Sequence, residues 1–381
     1  MSTEIFPIHI ERLDQTYAIW FERSNSYVIL SIENFELFNL FLKSKSKQGF
    51  VEATKNLVPN TTDVGLLHRE FSQLCKSANT PQYLYSKFSL SHEAITIPNL
   101  NITRFYKYNN FVIEVNFSSE TIENLFHPSL YYIETNETSN PDAIFNVFKN
   151  GEKLVLASKH QLIYECLVTE YHFMQGHFAM ELTNFVHQKS KSHWLASFHA
   201  STIVKDNKSI MLMGDSGNGK STLTAILTSN GFELLADDFT PMYADDLKLY
   251  KYPNAISIKP GAFDALREYI DDFAEIPSAF HTNKQLGVKY LWPKVNSARN
   301  IISASCRTIV YVKYIAHGEQ DFLKTNEEKV LKTLIPDSWT SPKPDHAKKF
   351  LSWLKGINFY ELYYNDNDFA VSSLNSTVKT S

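Results

Sequence analysis

The run Gly214-Asp215-Ser216-Gly217-Asn218-Gly219-Lys220-Ser221-Thr222 has the residue types and spacing that hold a phosphate chain. It fits G-x-x-x-x-G-K-[ST], with Gly214, Gly219, Lys220 and Ser221 on the fixed positions. Glycines let the backbone curl so that successive N–H groups face an anion. Lys220 is expected to reach the β- and γ-phosphates, and the Ser221 hydroxyl to ligate Mg²⁺. Two further carboxylates, Asp237 and Asp238, follow on the next apolar run. One would serve as a base that aligns and deprotonates an attacking hydroxyl, and the other would hold Mg²⁺ or its water.

Those groups work only if the elements around them form. Ser209–Met213 is a short apolar run, as a buried strand requires. Leu223–Ser229 reads as a helix, stopped by Asn230-Gly231, and its positive end points at the loop. Phe232–Asp238 reads as a strand that returns beside the first and delivers the two carboxylates near the phosphates. Neighbouring strand residues face opposite sides, so the two Asp residues should differ in role unless the strand has ended.

Together, the loop and Gly231-Phe-Glu-Leu-Leu-Ala-Asp-Asp238 resemble the HPr kinase/phosphorylase superfamily, whose catalytic fold is similar to that of phosphoenolpyruvate carboxykinase. The resemblance extends upstream to Phe198-His199-Ala200-Ser201 and covers about Trp194–Val295. It implies an active-site role for His199, nucleotide and Mg²⁺ binding by Lys220 and Ser221, and acid/base work by Asp237. It leaves Asp238 for the metal side.

The chain departs from the true HPr kinases after the Asp pair. Where they carry a Glu/Arg/Gly-rich signature, it reads Tyr252-Pro-Asn-Ala-Ile-Ser-Ile-Lys-Pro-Gly261, and later Gly287-Val-Lys-Tyr-Leu-Trp-Pro293. Both stretches look like divergent HPr-kinase-related proteins found beside peptide-modification genes. HPr is then not the implied substrate. Lys259 and Lys289 become candidates for phosphate or acceptor contacts, each weighed against an ordinary solvated lysine.

Composition narrows the partners. The 381 residues are 43% hydrophobic and 14% aromatic, enough for two or three domains with a sizeable core. With 37 Lys+Arg against 41 Asp+Glu, the net charge of −4 gives no case for nucleic acid. Cys75, Cys166 and Cys306 are scattered, in no metal or disulfide pattern, which suits reduced thiols in a cytoplasm. The start has no signal-peptide character and no window is apolar enough to span a membrane.

The expected fold is α/β: an HPr-kinase/PEP-carboxykinase-like phosphate-loop domain over 191–381, preceded by a small winged-helix-like α+β domain over 1–80 and a β-rich middle segment over 81–190. The first domain reads as two strands in Tyr17–Ser31, then helices at Asn34–Phe41, Gly49–Leu57 and Thr62–Cys75. That order looks like the PqqD-like module, which takes a leader peptide as an added strand at a sheet edge. In the middle segment, strand signals include Tyr83–Tyr85, Ala94–Ile97, Phe111–Val115, Tyr131–Ile133, Ala143–Phe148 and Lys153–Leu156. Gln161–Lys189 reads as helix, with His172 and His177 structural or solvated. Further on, Thr240–Tyr252 reads as a hairpin, Ala262–Phe273 as a helix and Ala274–Trp292 as a loop of the kind that covers substrates. Thr308–Tyr314 and Asn358–Tyr364 read as strands, His346–Leu354 and Phe369–Val378 as helices.

The expectation for function is an ATP- and Mg²⁺-dependent kinase acting on a hydroxyl of a peptide or small molecule, with a homo-oligomer left open. The alternative is a nucleotide-gated peptide-binding or delivery module without phosphotransfer. The Asp pair favours the kinase, since a gate needs no acceptor base.

Overall fold

Lys208–Met213 is apolar on both faces, so it belongs in the middle of a sheet covered on both sides. A computed structural model places it there; it describes residues 9–59, 61–81, 94–137, 140–280, 287–293 and 301–380. The protein is mixed α/β. Among the described residues, its largest sheet has ten strands, and Lys208–Met213 lies between antiparallel Ser201–Lys205 and parallel Ser303–Tyr314. The latter forks: its first residues pair with Lys248–Tyr250, and Thr308–Tyr314 pairs with parallel Asn358–Tyr364. Ser201–Lys205 and Lys208–Met213 form a hairpin through Asp206 and Asn207, both at positive φ, as a tight two-residue turn needs. That hairpin takes the slot beside the loop strand. The carboxylate strand, Glu233–Ala236, therefore pairs with Ser201–Lys205 and not with the loop strand as expected.

The N-terminal residues form a three-stranded antiparallel sheet, His9–Arg12, Thr16–Phe21 and Ser26–Ser31, followed by helices Ile32–Lys43, Lys47–Thr54 and Val64–Ala78. Ser31, Ser46 and Asp63 cap these helices by accepting from backbone N–H groups. Strand alternation gives the sheet two apolar faces. Ile19 and Phe21 pack with Phe38, Phe50 and Phe71 of the helices. Ala18, Trp20 and Ile29 enter the core of the large sheet beside Leu331, Phe350 and Trp353. Glu327, buried at the start of helix Glu327–Leu334, seals this junction: its Oε1 accepts from Gln15 N, Thr16 N and Thr16 Oγ1, each at 2.8 Å. Glu327→Ala leaves three donors without their acceptor and should cost about 3 kcal/mol in denaturant unfolding. An unchanged midpoint would show that water replaces the carboxylate at no cost.

The middle residues build a five-stranded sheet, ordered Ile102–Tyr108, Phe111–Phe117, Ala143–Asn150, Lys153–Ser158, Gln161–Leu167. Here the expected helix over Gln161–Lys189 is too long. Gln161–Leu167 turns back on Lys153–Ser158 as a strand, through Lys159 at φ 50°, and the helix runs only from Tyr171 to Val186. Tyr131–Ile133 is a 3₁₀ turn, not a strand, and of Ala94–Ile97 only Ala94 forms a bridge. The expected strand Tyr83–Tyr85 lies outside the described residues. On the helix, His177 stacks half-buried on Tyr164 at 3.7 Å, and burial pushes its pKa down to about 3. The folded protein thus holds His177 neutral while the unfolded chain protonates it. The stability it contributes is full above 6.5 and is lost as the pH falls from there towards about 3. His177→Phe keeps the stack and removes the titration, so the fall in melting temperature between about pH 6.5 and pH 4 should be shallower. Parallel melting curves for the two proteins over that range would refute this.

Two further expectations change. Ala262–Phe273 holds only the short helix Phe263–Arg267 between 3₁₀ turns. The described part of Ala274–Trp292 is not loop: Ser278–Phe280 and Gly287–Leu291 pair with each other, and the latter pairs with Ile256–Ile258. Residues 281–286 of that stretch lie outside the described residues. Among the described residues, no helix is long and apolar enough to cross a membrane.

Candidate active site

The phosphate-loop residues stand between the end of Lys208–Met213 and helix Lys220–Ser229. Backbone crowding fixes the glycines. A Cβ on Gly214 would lie 2.5 Å from the Val312 carbonyl oxygen, so any side chain would push the loop off the neighbouring strand. Gly219, at φ 86°, turns the chain into the helix with Tyr364 Oη 3.0 Å from where its Cβ would be. Gly217 also sits at positive φ, and Thr222 is half-buried in the first helical turn.

Asp215 and Asn218 shape the loop from inside. Tyr311 Oη donates to Asp215 Oδ2 at 2.6 Å, and Asn218 Nδ2 lies 3.3 Å from the same oxygen and 3.2 Å from Tyr311 Oη. Tyr314 N donates to the Asn218 carbonyl at 3.0 Å. Behind Tyr311, Lys329 Nζ sits 4.6 Å from the ring centroid and also pairs with Glu361. Lys329 lies two residues along the helix from Glu327, so one short helix touches both the N-terminal sheet and the support of the phosphate loop.

Strand Glu233–Ala236 ends before the Asp pair, so alternation no longer dictates where the two carboxylates go. Asp237 is fully buried and Asp238, at φ 59°, swings outward to 42% side-chain exposure. Asp237 accepts from Ser201 Oγ, from Ser221 Oγ at 3.3 Å and 3.4 Å to its two oxygens, and from Ser257 N at 3.3 Å. Burial, with Asp238 alongside, pushes its pKa up to about 7 against the pull of these donors. Asp238 lies 3.1 Å from Lys220 Nζ and 4.0 Å from His199 Nε2. Burial opposes its charge, but Lys220 and His199 outweigh that and hold its carboxyl below the usual range. His199 occupies the bend between Trp194–Phe198 and Ser201–Lys205, with Nε2 3.4 Å from Lys220 Nζ.

The donor set suits Mg²⁺. A hydroxyl and a desolvated carboxylate lie side by side, and a hard cation taking oxygen ligands would relieve the burial of Asp237. No cluster of three His, Cys, Asp or Glu that could hold a metal occurs among the described residues. Mg²⁺ in phosphoryl-transfer sites needs only one or two protein oxygens besides substrate and water.

The two candidate lysines part ways. Lys259 Nζ lies 3.3 Å from Ser216 Oγ, at the phosphate loop. Lys289 does not reach it: its buried ammonium donates to the carbonyls of Phe273 (3.2 Å), Ala274 (2.9 Å) and Ile276, which use its three protons. It ties a turn together. Cys75, Cys166 and Cys306 are buried and unpaired, and burial pushes each thiol up to about 11, so none is a ready nucleophile.

Sequence reasoning missed Ser201, Ser257 and Tyr311 as site residues. Ser201 opens strand Ser201–Lys205, and Tyr311 carries a polar tip near the carboxyl end of strand Ser303–Tyr314. The second is a signal, because ligands of α/β sheets gather at strand carboxyl ends. Ser257 contributes a backbone N–H, which no side-chain pattern announces.

No family model matches the chain, and no curated protein matches it. Among solved structures it matches the Hpr(Ser) kinase/phosphatase from Coxiella burnetii at 12% identity, over 48% of this chain and 97% of that one, with a TM-score of 0.24. A likeness that slight carries no argument about fold or activity.

Proposed function

We propose that this chain is an ATP-dependent kinase that transfers the γ-phosphate to a serine-type hydroxyl of a peptide or small molecule. One observation carries the reading: Lys220, Asp238 and His199 meet within 3.1–4.0 Å at the mouth of a phosphate loop whose Ser221 faces buried Asp237. Phosphoryl transfer needs neutralised phosphates, in-line placement and a group to take the acceptor proton. Lys220 and Lys259 supply positive charge for the phosphates. Ser221 and Asp237 would hold Mg²⁺, which when bound neutralises charge developing on the phosphate oxygens.

Asp237 was expected to be the base and Asp238 the metal-side group. The geometry favours the exchange. Asp237 is closed off behind three serines, whereas Asp238 is open to an incoming hydroxyl. In the step, the acceptor O–H bond breaks and its proton passes to Asp238. The acceptor oxygen forms a bond to the γ-phosphorus as the bridge to the β-phosphate breaks, and ADP leaves. His199 stands beside both partners, with Nε2 4.0 Å from Asp238 and 3.4 Å from Lys220 Nζ, where it can contact the transferred phosphoryl group.

A leader peptide would dock on the N-terminal sheet, where Ser26–Ser31 is an edge strand. A second reading, nucleotide-gated binding without transfer, draws support from the helix that carries both Glu327 and Lys329, since it joins that sheet to the phosphate loop. The test is incubation with γ-labelled ATP, Mg²⁺ and blocked serine peptides. Label appearing as phosphoserine supports the kinase; Mg²⁺-dependent ATP binding with only free phosphate released would favour the gate.

A further inference from the structure

We infer that the acceptor's neighbouring side chain binds in a pocket between the middle residues and the sheet formed by Ile256–Ile258, Ser278–Phe280 and Gly287–Leu291, and that this side chain is an uncharged ring. The inference rests on the kinase reading and names the acceptor class for the same site. The pocket has a volume of about 240 Å³ and is lined by His127, Tyr131, Tyr132, Ser278 and Tyr290, among others. That is below the roughly 300–1,000 Å³ of sites that take whole small molecules, so it fits one side chain and not a nucleotide.

Its position ties it to the chemistry twice over. Tyr290 is the cross-strand partner of Ser257, whose N–H donates to Asp237. On the opposite wall, the Ser129 carbonyl accepts from Ala255 N at 2.9 Å, and the adjacent Asn254 donates to the Asp237 carbonyl at 2.9 Å. Both walls are thus anchored within one residue of groups that hold Asp237, and Asp238 lies near enough to Tyr290 that burial and then its charge raise the pKa of that hydroxyl. An acceptor whose hydroxyl meets Asp238 would have its neighbouring side chain at this opening.

The lining selects the chemistry. Among the described residues, it contains no Asp, Glu, Lys or Arg. His127 is held neutral, because burial lowers its pKa, and its Nδ1 lies 3.0 Å from Tyr106 Oη. Tyr131 and Tyr132 are 51% and 42% exposed, unusual for adjacent aromatics with no core role, and Trp292 stacks against Tyr132. Such a wall favours offset or edge contacts with a ring and gives a charged group no partner.

Two blocked dipeptides serve as probes, N-acetyl-Ser-Phe-amide and N-acetyl-Ser-Glu-amide. Binding to the full chain in the presence of ATP analogue and Mg²⁺ is read by ligand-observed NMR, and phosphorylation with ATP by phosphorus NMR. The phenylalanine probe should bind and react at least about tenfold better, as one well-packed aromatic contact allows. Ser278→Trp, which fills the pocket from an exposed position, should cut that preference to within about twofold, and Tyr132→Ala, also exposed, should weaken it. Nucleotide binding is measured on the same samples to confirm that the variants are folded. Equal use of the two probes by the parent, no detectable binding of either, or an undiminished preference in both variants overturns the inference. Phenylalanine-probe binding that Ser278→Trp abolishes, with no phosphoserine formed by the parent, supports the pocket and overturns the kinase reading instead.

Discussion

Asp238→Asn should reduce phosphoryl transfer by about 10²–10⁴-fold while leaving ATP affinity equal to or above that of the parent. The substitution keeps the side chain's shape and removes its ability to take a proton. Asp238 is the exposed member of the pair, 3.1 Å from Lys220, so it competes with phosphate for that lysine when the site is empty. Neutralising it frees the ammonium for the nucleotide, which is why binding should not suffer. The measurement pairs calorimetric titration of ATP·Mg²⁺ with single-turnover formation of phosphoserine. Asp237→Asn is the control with the opposite signature: it should weaken the Mg²⁺ dependence of binding, because this is the desolvated carboxylate that lies beside the Ser221 hydroxyl. If Asp238→Asn abolishes Mg²⁺-dependent binding and Asp237→Asn leaves it intact, the roles revert to those implied by family resemblance.

Lys220→Ala should raise the ATP dissociation constant by roughly one to two orders of magnitude, since a charge-assisted contact contributes about 1.5–3 kcal/mol. The lysine is 9% exposed and stands at the first position of helix Lys220–Ser229, where its ammonium is already fixed by Asp238 and His199. Little side-chain freedom remains to be lost on binding, which offsets part of the cost of drawing the ammonium away from Asp238. The change also leaves Asp238 without its main cation, which adds repulsion towards the phosphate chain. Equal affinities for parent and variant would mean that the nucleotide, if it binds, sits elsewhere.

The phosphate loop was legible because its requirements are local. Gly214, Gly219, Lys220 and Ser221 stand at fixed spacing between an apolar strand and a capped helix, and contacts a few residues apart settle that whole unit. The N-terminal helices, the hairpin within Thr240–Tyr252 and strand Asn358–Tyr364 were legible for the same reason, through caps, turn residues and alternation. Gln161–Leu167 was not. Its apolar spacing suits a helix, and only the partner strand Lys153–Ser158 and the turn at Lys159 make it a strand.

Beyond these elements, the sequence by itself determined which chemical groups this protein brings: a phosphate cradle, one lysine inside it, a hydroxyl for a metal, and two adjacent carboxylates. Tertiary structure alone decided how they divide the work. The end of strand Glu233–Ala236, the positive φ of Asp238 and the slot taken by hairpin Ser201–Lys205/Lys208–Met213 bury one carboxylate behind Ser201 and expose the other to Lys220. It also turned Lys289 away from the site and brought Tyr311 and Lys329 to the loop from strands and helices far along the chain. The reason is range: spacing encodes what neighbours in the chain can do, whereas burial and charge pairing depend on residues that meet only when the sheets have assembled.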